Sequence, residues 1–135
     1  MSKTLTPQQV FNRVVAHART QGRAAMEGNY CRYRAYDGTK SFVGSLIADE
    51  HYTPAIELNL CSAPHVVRAL QASGIQTGRR MHDNTEDTVL TMLKRLDNIH
   101  AAGWRDASCW EAEFKLAAAH FRLTYTPPTG LTTQY

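Results

Sequence analysis

Apolar residues first recur at helical spacing close to the start of the chain. Thr6 has the properties of an N-cap, Pro7 suits the first helical position, and Gln9 completes a capping box. The apolar positions that follow obey the i, i+3, i+4, i+7 rule and are Phe11, Val14, Val15 and Ala18. This pattern predicts a first helix that weakens at Gly22 and stops at Gly28-Asn29.

Two later stretches have the same period. The first is short, opens at Pro64 and closes at Ser73-Gly74. The second starts after an N-cap at Asn84 or Thr85 and ends at Gly103. Its apolar stripe consists of Val89, Met92, Leu93, Leu96, Ile99 and His100. Each stretch therefore predicts one amphipathic helix.

A fourth helical pattern lies near the C-terminus. Ser108 and Glu111 form a second capping box. The expected buried face consists of Trp110, Phe114, Ala117, Ala118 and Phe121. From Thr124 onwards the sequence is polar and contains two prolines and a glycine, which is typical of an extended segment. We therefore expect a single globular domain over residues 1–123 and an extended C-terminal tail over residues 124–135.

The pattern between the first two helices is that of strands. Two runs rich in aromatic and β-branched residues flank Asp37-Gly38, and this dipeptide favours a two-residue hairpin loop because a type I′ turn needs φ > 0 twice. In that register Tyr33 faces Phe42 on the side towards the helices, while Arg32 and Arg34 point outwards. The sequence therefore predicts an α+β fold, mainly α, with about four helices and one antiparallel β-hairpin packed on them.

The stretch after the predicted hairpin is irregular. Its apolar residues are Ile56, Leu58 and Leu60, and we expect them to anchor this part of the chain to the core. No internal repeat and no low-complexity tract interrupts the sequence.

Composition places the chain among ordinary globular proteins. It has 135 residues, of which 43% are hydrophobic and 20% charged, as expected for one domain with one core. The formal net charge of +3 permits an acidic or nucleic-acid partner without requiring one. Three widely spaced cysteines, Cys31, Cys61 and Cys109, indicate free thiols in a reducing compartment. No signal-peptide pattern and no apolar run of roughly 20 residues occurs, so we expect a cytoplasmic protein without a membrane partner.

Sequence motifs that carry chemistry are few. The six histidines are scattered without the spacing of metal ligands, and no glycine-rich phosphate loop occurs, so we expect neither a metal ion nor a cofactor. Pairing of Cys31 with His51 or His100 would make a small cysteine- and histidine-dependent hydrolase. However, the nearby arginines alternate onto the opposite strand face and would not favour the Cys31 thiolate. We therefore expect no catalytic residue and favour a non-enzymatic function.

Basic residues beside tyrosines form the clearest candidate surface. The candidate binding residues are Arg19 and Arg23 on the first helix and Arg32, Arg34, Tyr36 and Lys40 on the hairpin. Arginine and tyrosine are common anchors of protein interfaces, which favours a protein partner. The alternative is a nucleic-acid-binding regulator, in which the same cations contact phosphates and the tyrosines stack on bases. The pattern over residues 64–81 adds to this alternative, because it could form a helix-turn-helix.

Residues 31–52 also contain a series of spaced motif positions. They run from Cys31-Arg32-Tyr33-Arg34 through Asp37-Gly38 and Val43-Gly44 to the segment 46–52. The series resembles a family of small uncharacterised bacterial and phage proteins with the pattern C-x-Y-R-x-x-D-G-x-x-C-x-V-G-x-L-I-x-D-E-x-Y, and residues 96–100 resemble a second block. Ser41 and Ser45 stand where the family pattern often has cysteines. The resemblance implies a phage or mobile-element protein that binds and modulates a host protein.

Overall fold

The computed structural model of the protein describes residues 4–128. These residues form five α-helices and one two-stranded antiparallel ribbon, which confirms the predicted α+β class with mainly helical content. The elements are α1 (Pro7–Gln21), β1 (Met26–Glu27), β2 (Tyr30–Cys31), α2 (Phe42–Leu46), α3 (Pro64–Ala72), α4 (Val89–Ala102) and α5 (Trp110–Phe121). The longest helix has 15 residues, and within residues 4–128 none has the length and apolarity needed to cross a membrane.

The helix ends follow local backbone chemistry. The capping box of α1 is confirmed, because Thr6 Oγ1 accepts the Gln9 N–H at 3.1 Å and Gln9 Oε1 accepts the Thr6 N–H at 2.9 Å. Gly22 ends this helix with a φ of 75°, so the predicted continuation towards Gly28 is wrong. The N-cap of α4 is Thr88, which makes the predicted start three or four residues too early. The predicted capping box of Ser108 and Glu111 is wrong, because α5 begins at Trp110 and Asp106 caps the turn before it by accepting the Ser108 N–H at 2.9 Å.

The core lies between α1, α2, α4 and α5. All apolar residues predicted to line these helices are buried, so the predicted buried faces are confirmed. Phe42 of α2 lies at the centre of the core, with ring centroids 4.7 Å from Trp110, 5.4 Å from Phe114 and 5.1 Å from His100. Such aromatic contacts add to the stabilisation from buried area alone.

The β-ribbon lies at a different place from the predicted hairpin. β1 and β2 pair across a turn at Gly28-Asn29, where Gly28 has a φ of 60°. The predicted second strand is a helix instead, because Ser41 Oγ accepts the Gly44 N–H at 2.9 Å and caps α2. Phe42 therefore enters the core from a helix, and its predicted cross-strand pairing with Tyr33 is wrong.

The predicted turn at Asp37-Gly38 does form. Gly38 has a φ of 91°, and Asp37 Oδ1 accepts hydrogen bonds from the Thr39 N–H and hydroxyl at 3.0 and 2.6 Å. These bonds, and then the Arg23 guanidinium, lower the pKa of Asp37 to about 2. Beyond the turn, the pairing consists of a single bridge between Arg34 and Lys40. The position of the turn was therefore predicted correctly, but its type I′ geometry was not, because only Gly38 has a positive φ. The predicted register and the strands around the turn are also wrong.

Gly44 holds α2 against the backbone of Tyr33. A Cβ atom added at Gly44 would lie 2.0 Å from the Tyr33 carbonyl oxygen and 2.7 Å from its carbonyl carbon. The Ser41 N–H donates to the same carbonyl oxygen at 3.1 Å. Only glycine allows so close an approach, so this contact fixes the segment around Tyr33 on α2.

The chain after α5 returns along α1. Thr124 exchanges two hydrogen bonds with the Gln8 side chain, at 2.8 and 3.0 Å. The Tyr125 hydroxyl donates to Glu111 Oε1 at 2.7 Å. The first residues of the predicted tail thus contact the helices, while residues 129–135 lie outside the described part of the chain.

Candidate binding surface around Glu57

A buried carboxylate, Glu57, organises the segment around the Asp37-Gly38 turn. Its Oε1 accepts the Tyr33 N–H at 2.9 Å, and its Oε2 accepts the Arg34 N–H at 3.0 Å and the Tyr52 hydroxyl at 2.6 Å. Arg32 Nη2 lies 3.7 Å from Oε2. We call Glu57 and these four partners the Glu57 cluster. Since the Glu57 side chain is only 6% exposed, these contacts replace the water that an ionised carboxylate requires.

Arg34 is turned towards the body of the protein. Its Nη1 lies 2.9 Å from Asp49 Oδ1, and its Nη2 donates to the Ile47 carbonyl oxygen at 2.8 Å. The guanidinium also lies 4.6 Å from the centroid of the Tyr52 ring. The side chain is 18% exposed, so its predicted outward orientation is wrong. The guanidinium therefore joins the backbone at Arg34 to the segment 47–52.

Arg32 is held in a similar way. Its Nε donates to the Arg34 carbonyl oxygen at 3.0 Å, and its guanidinium lies 4.8 Å from the centroid of the Tyr36 ring. The side chain is 19% exposed and pairs with Glu57, so the prediction that it points outwards is also wrong. Tyr36, by contrast, is 84% exposed and faces solvent.

The other candidate cations also have carboxylate partners. The pairs are Lys40 with Asp49 at 3.7 Å, Arg23 with Asp37 at 2.8 Å, and Arg19 with Glu111 at 2.8 Å. Arg19 lies apart from the others, because it joins α1 to α5 and contacts the Tyr125 ring. The remaining candidates gather around the Asp37-Gly38 turn. Internal pairing of these charges leaves less positive potential than the sequence suggests.

This pairing weakens the nucleic-acid alternative. Nucleic-acid affinity comes largely from cations that replace counterions on phosphates, and a cation already paired with a carboxylate supplies less of it. The predicted helix-turn-helix is also wrong, because α3 ends at Ala72 and the next helix begins at Val89. Arg79 and Arg80 lie in the non-helical connection between them.

A small cleft of about 70 Å³ opens beside the Glu57 cluster. Its walls are formed by Cys31, Arg32, Tyr33, Ser41, Leu58, Asn59 and Asp97. Burial raises the pKa of the Asp97 carboxyl, on α4, from 3.8 to about 6. Within residues 4–128, this carboxyl has neither a hydrogen-bond partner nor an ion-pair partner. The cleft therefore contains one acidic group whose charge the described residues do not offset.

Two exposed leucines flank Asn59 in the chain, and of these Leu58 lines the cleft. Leu58 is 81% exposed and Leu60 is 76% exposed, so the prediction that they anchor the chain is wrong, while Ile56 is buried as expected. The chain turns them outwards because Glu57 points inwards and the Asn59 carbonyl oxygen accepts the Tyr33 hydroxyl at 2.6 Å. Leu58 has a φ of 65°, a left-handed conformation that is unfavourable for a leucine.

Two exposed tyrosines lie next to residues that line the same cleft. Tyr36 stacks on Arg32, which lines the cleft, and Tyr30 is 68% exposed and precedes Cys31 in β2. We call Tyr30, Tyr36, Leu58 and Leu60 the apolar rim. Sequence reasoning found Tyr36 but missed both leucines, because it expected them to be buried together with Ile56. The backbone is irregular here, with Leu58 at a positive φ, and it separates the leucines from Ile56.

The cysteines lack the environment of a nucleophile. Cys31 Sγ contacts Met26 Sδ at 3.4 Å and Cys109 Sγ contacts the Asp106 carbonyl oxygen at 3.9 Å. Burial, and then the Asp97 charge, raises the pKa of Cys31, and the same two causes raise that of Cys61 to about 11. A raised pKa disfavours the reactive thiolate. Across residues 4–128, no group of three or more His, Cys, Asp or Glu side chains could hold a metal ion.

Comparison of the chain with models of known protein families, with curated proteins and with solved structures found no match. The resemblance of residues 31–52 to small bacterial and phage proteins therefore stays a prediction. In this chain, motif positions such as Tyr33, Arg34 and Tyr52 belong to the Glu57 cluster. Their visible role is to fold the segment that supports the apolar rim.

Proposed function

We propose that the protein is a small non-enzymatic interaction module, which binds and modulates a protein partner through the apolar rim and the adjacent cleft. The observation that carries this proposal is Leu58, which is 81% exposed and held at a φ of 65°. Neither its exposure nor its backbone conformation benefits folding, and strained backbone of this kind gathers at functional sites. A tyrosine- and leucine-rich surface is well suited to bury apolar area against another protein.

Other features favour this function over the alternatives. The cleft of about 70 Å³ is far smaller than the roughly 300–1,000 Å³ of common small-molecule sites, which argues against an enzyme acting there. The internal pairing of the candidate cations argues against nucleic acid. The free thiols Cys31, Cys61 and Cys109 suit the reducing cytoplasm. That the partner is a host protein and the chain phage- or mobile-element-encoded rests on the motif resemblance alone.

Replacement of Leu58 by asparagine should separate binding from folding. Asparagine tolerates positive φ better than leucine, so we expect stability to stay the same or rise by up to about 1 kcal/mol. The same change removes a large apolar contact and should weaken partner binding by at least about tenfold. The partner is first identified by capture on the wild-type protein and mass spectrometry. Its purified form is then titrated into each variant by calorimetry, and thermal unfolding gives the stability.

Leu116→Gln is the matched control for this experiment. Leu116 is 59% exposed on α5, and its replacement also exchanges a leucine for an amide side chain. We expect it to leave partner affinity within about a factor of two, a change below ~0.5 kcal/mol. Equal affinity of the purified partner for Leu58→Asn and wild type would contradict the proposal, as would failure to find any partner that binds saturably.

A further inference from the structure

The cleft beside the apolar rim holds an acidic group whose charge the described residues leave unpaired. Asp97 projects from α4, and burial is the cause of its raised pKa, with no opposing hydrogen bond or cation among the described residues. Unpaired carboxyl groups with restricted access to water are costly for a protein and gather at functional sites. The carboxyl is partly buried and lines the cleft, so a cationic group that enters the cleft can pair with it.

We propose that the Asp97 cleft receives the cationic end of a lysine or arginine side chain from the protein that binds the apolar rim. This inference rests on the proposed function and specifies which partner chemistry the site accepts. It makes Asp97 the electrostatic determinant of binding, while Leu58 and the neighbouring apolar residues supply contact area.

The size of the cleft fits such a group. At about 70 Å³ the cleft is well below the volume of common small-molecule sites, and it suits the end of one side chain better than a whole small molecule. The aliphatic stem of lysine or arginine would then lie along apolar surface at the mouth of the cleft, where Leu58 is exposed. Size and charge therefore point to the same kind of ligand.

A positively charged side chain already lines the cleft, but it does not neutralise Asp97. Arg32 lines the cleft, but its guanidinium pairs with Glu57 at 3.7 Å and stacks on the Tyr36 ring at 4.8 Å. The Tyr33 hydroxyl is also engaged, because it donates to the Asn59 carbonyl oxygen. Asp97 is left as the acceptor that faces the cleft, and a cation is the natural complement to it.

The test uses small cationic probes and the whole purified protein. N-acetyl-arginine amide and N-acetyl-lysine amide are titrated at constant ionic strength, and chemical shifts of backbone amides are followed by NMR. We expect saturable shifts at Cys31, Asn59 and Asp97 with dissociation constants on the order of 1–10 mM. The neutral probe N-acetyl-glutamine amide should bind at least about tenfold more weakly, because it lacks the charge.

Variants decide whether Asp97 is responsible. Asp97→Asn should abolish binding of both cationic probes, whereas Asp83→Asn, which neutralises an exposed carboxylate elsewhere, should not. Absence of saturable shifts in the wild-type protein would overturn the inference, and so would equal binding by Asp97→Asn. If the inference is overturned in this way but Leu58→Asn still weakens partner binding, the proposed function is retained. Only the role of Asp97 in binding a cation is then excluded.

Discussion

Replacement of Glu57 by alanine is expected to lower the free energy of unfolding by about 3–5 kcal/mol. The change leaves the N–H groups of Tyr33 and Arg34 without their acceptor in a buried site, and it removes the carboxylate that pairs with Arg32. Removal of one partner from a buried ionic network lowers the free energy of unfolding by more than the whole network contributes to it. The reason is that the remaining polar groups stay buried without a partner. Urea unfolding followed by circular dichroism measures the effect.

The control for this experiment is Glu50→Ala, which removes an exposed carboxylate in the neighbouring single-turn helix Asp49–His51. Its effect should stay within about 0.5 kcal/mol. Glu57→Gln keeps one acceptor oxygen, so its free energy of unfolding should lie between those of wild type and Glu57→Ala. This variant still gives a measurement if the alanine variant does not fold. Similar stabilities for Glu57→Ala and Glu50→Ala would show that the cluster does not hold the segment.

Replacement of Asp97 by asparagine is expected to stabilise the protein at pH 7 by up to about 3 kcal/mol. Burial raises the pKa of Asp97 from 3.8 to about 6, and each pKa unit corresponds to about 1.4 kcal/mol. The folded state therefore binds the proton more tightly than the unfolded state does. The contribution of this group is fully favourable below pH 3.8 and is lost as the pH rises to about 6, so its charged form destabilises the fold at neutral pH.

His100 has the opposite pH dependence. Its Nε2 accepts the Ala25 N–H at 3.0 Å, and its ring packs against Phe42 and Trp110. Burial, and then His17, lowers the pKa of His100 from 6.5 to about 4. The stability that depends on neutral His100 is complete above pH 6.5 and is lost as the pH falls to about 4, again by about 3 kcal/mol.

These two contributions nearly cancel in the wild-type protein between about pH 4 and 6, the window set by the pKa values of His100 and Asp97. We expect the wild-type free energy of unfolding to change little over this range, whereas that of Asp97→Asn should fall steeply on acidification. Chemical unfolding at a series of pH values measures both curves. A different result would be a wild-type free energy of unfolding that falls steeply on acidification and follows the same curve in Asp97→Asn. That result would contradict the claim that Asp97 and His100 have opposite effects on stability. Retention of a destabilising Asp97 is consistent with a role in binding.

The helices could be predicted because their determinants are local. The cap at Thr6, the proline that opens α3 and the apolar stripes of α1, α4 and α5 involve residues only a few positions apart. The predicted hairpin failed where two local preferences competed. Asp37-Gly38 favoured a turn and received one, but Ser41 then capped a helix through the residues expected to form the second strand.

The candidate surface was predicted only in part because its determinants are distant in sequence. Strand alternation placed Arg32 and Arg34 outwards, but Glu57, more than 20 residues away, binds the adjacent backbone and pairs with Arg32. The same contacts turn Leu58 outwards, although an isolated leucine in a sequence is normally assigned to the core. Asp97 gave no sequence signal, since it lies next to the apolar stripe of α4 and only packing reveals its cleft.

We infer that Glu57 fixes the backbone around Tyr33 and Arg34 and thereby holds the residues of the apolar rim in place. Native-state hydrogen exchange measured by NMR tests it most directly, because the amide hydrogens of these two residues are bound by the Glu57 carboxylate at 2.9 and 3.0 Å. We predict that both exchange as slowly as the core amides of α4. In Glu57→Gln, which keeps one acceptor oxygen, we expect this protection to be lost at one of the two amides, because each is bound by a different carboxylate oxygen. Exchange of the wild-type Tyr33 and Arg34 amides at the rate of an unstructured peptide would contradict the claim.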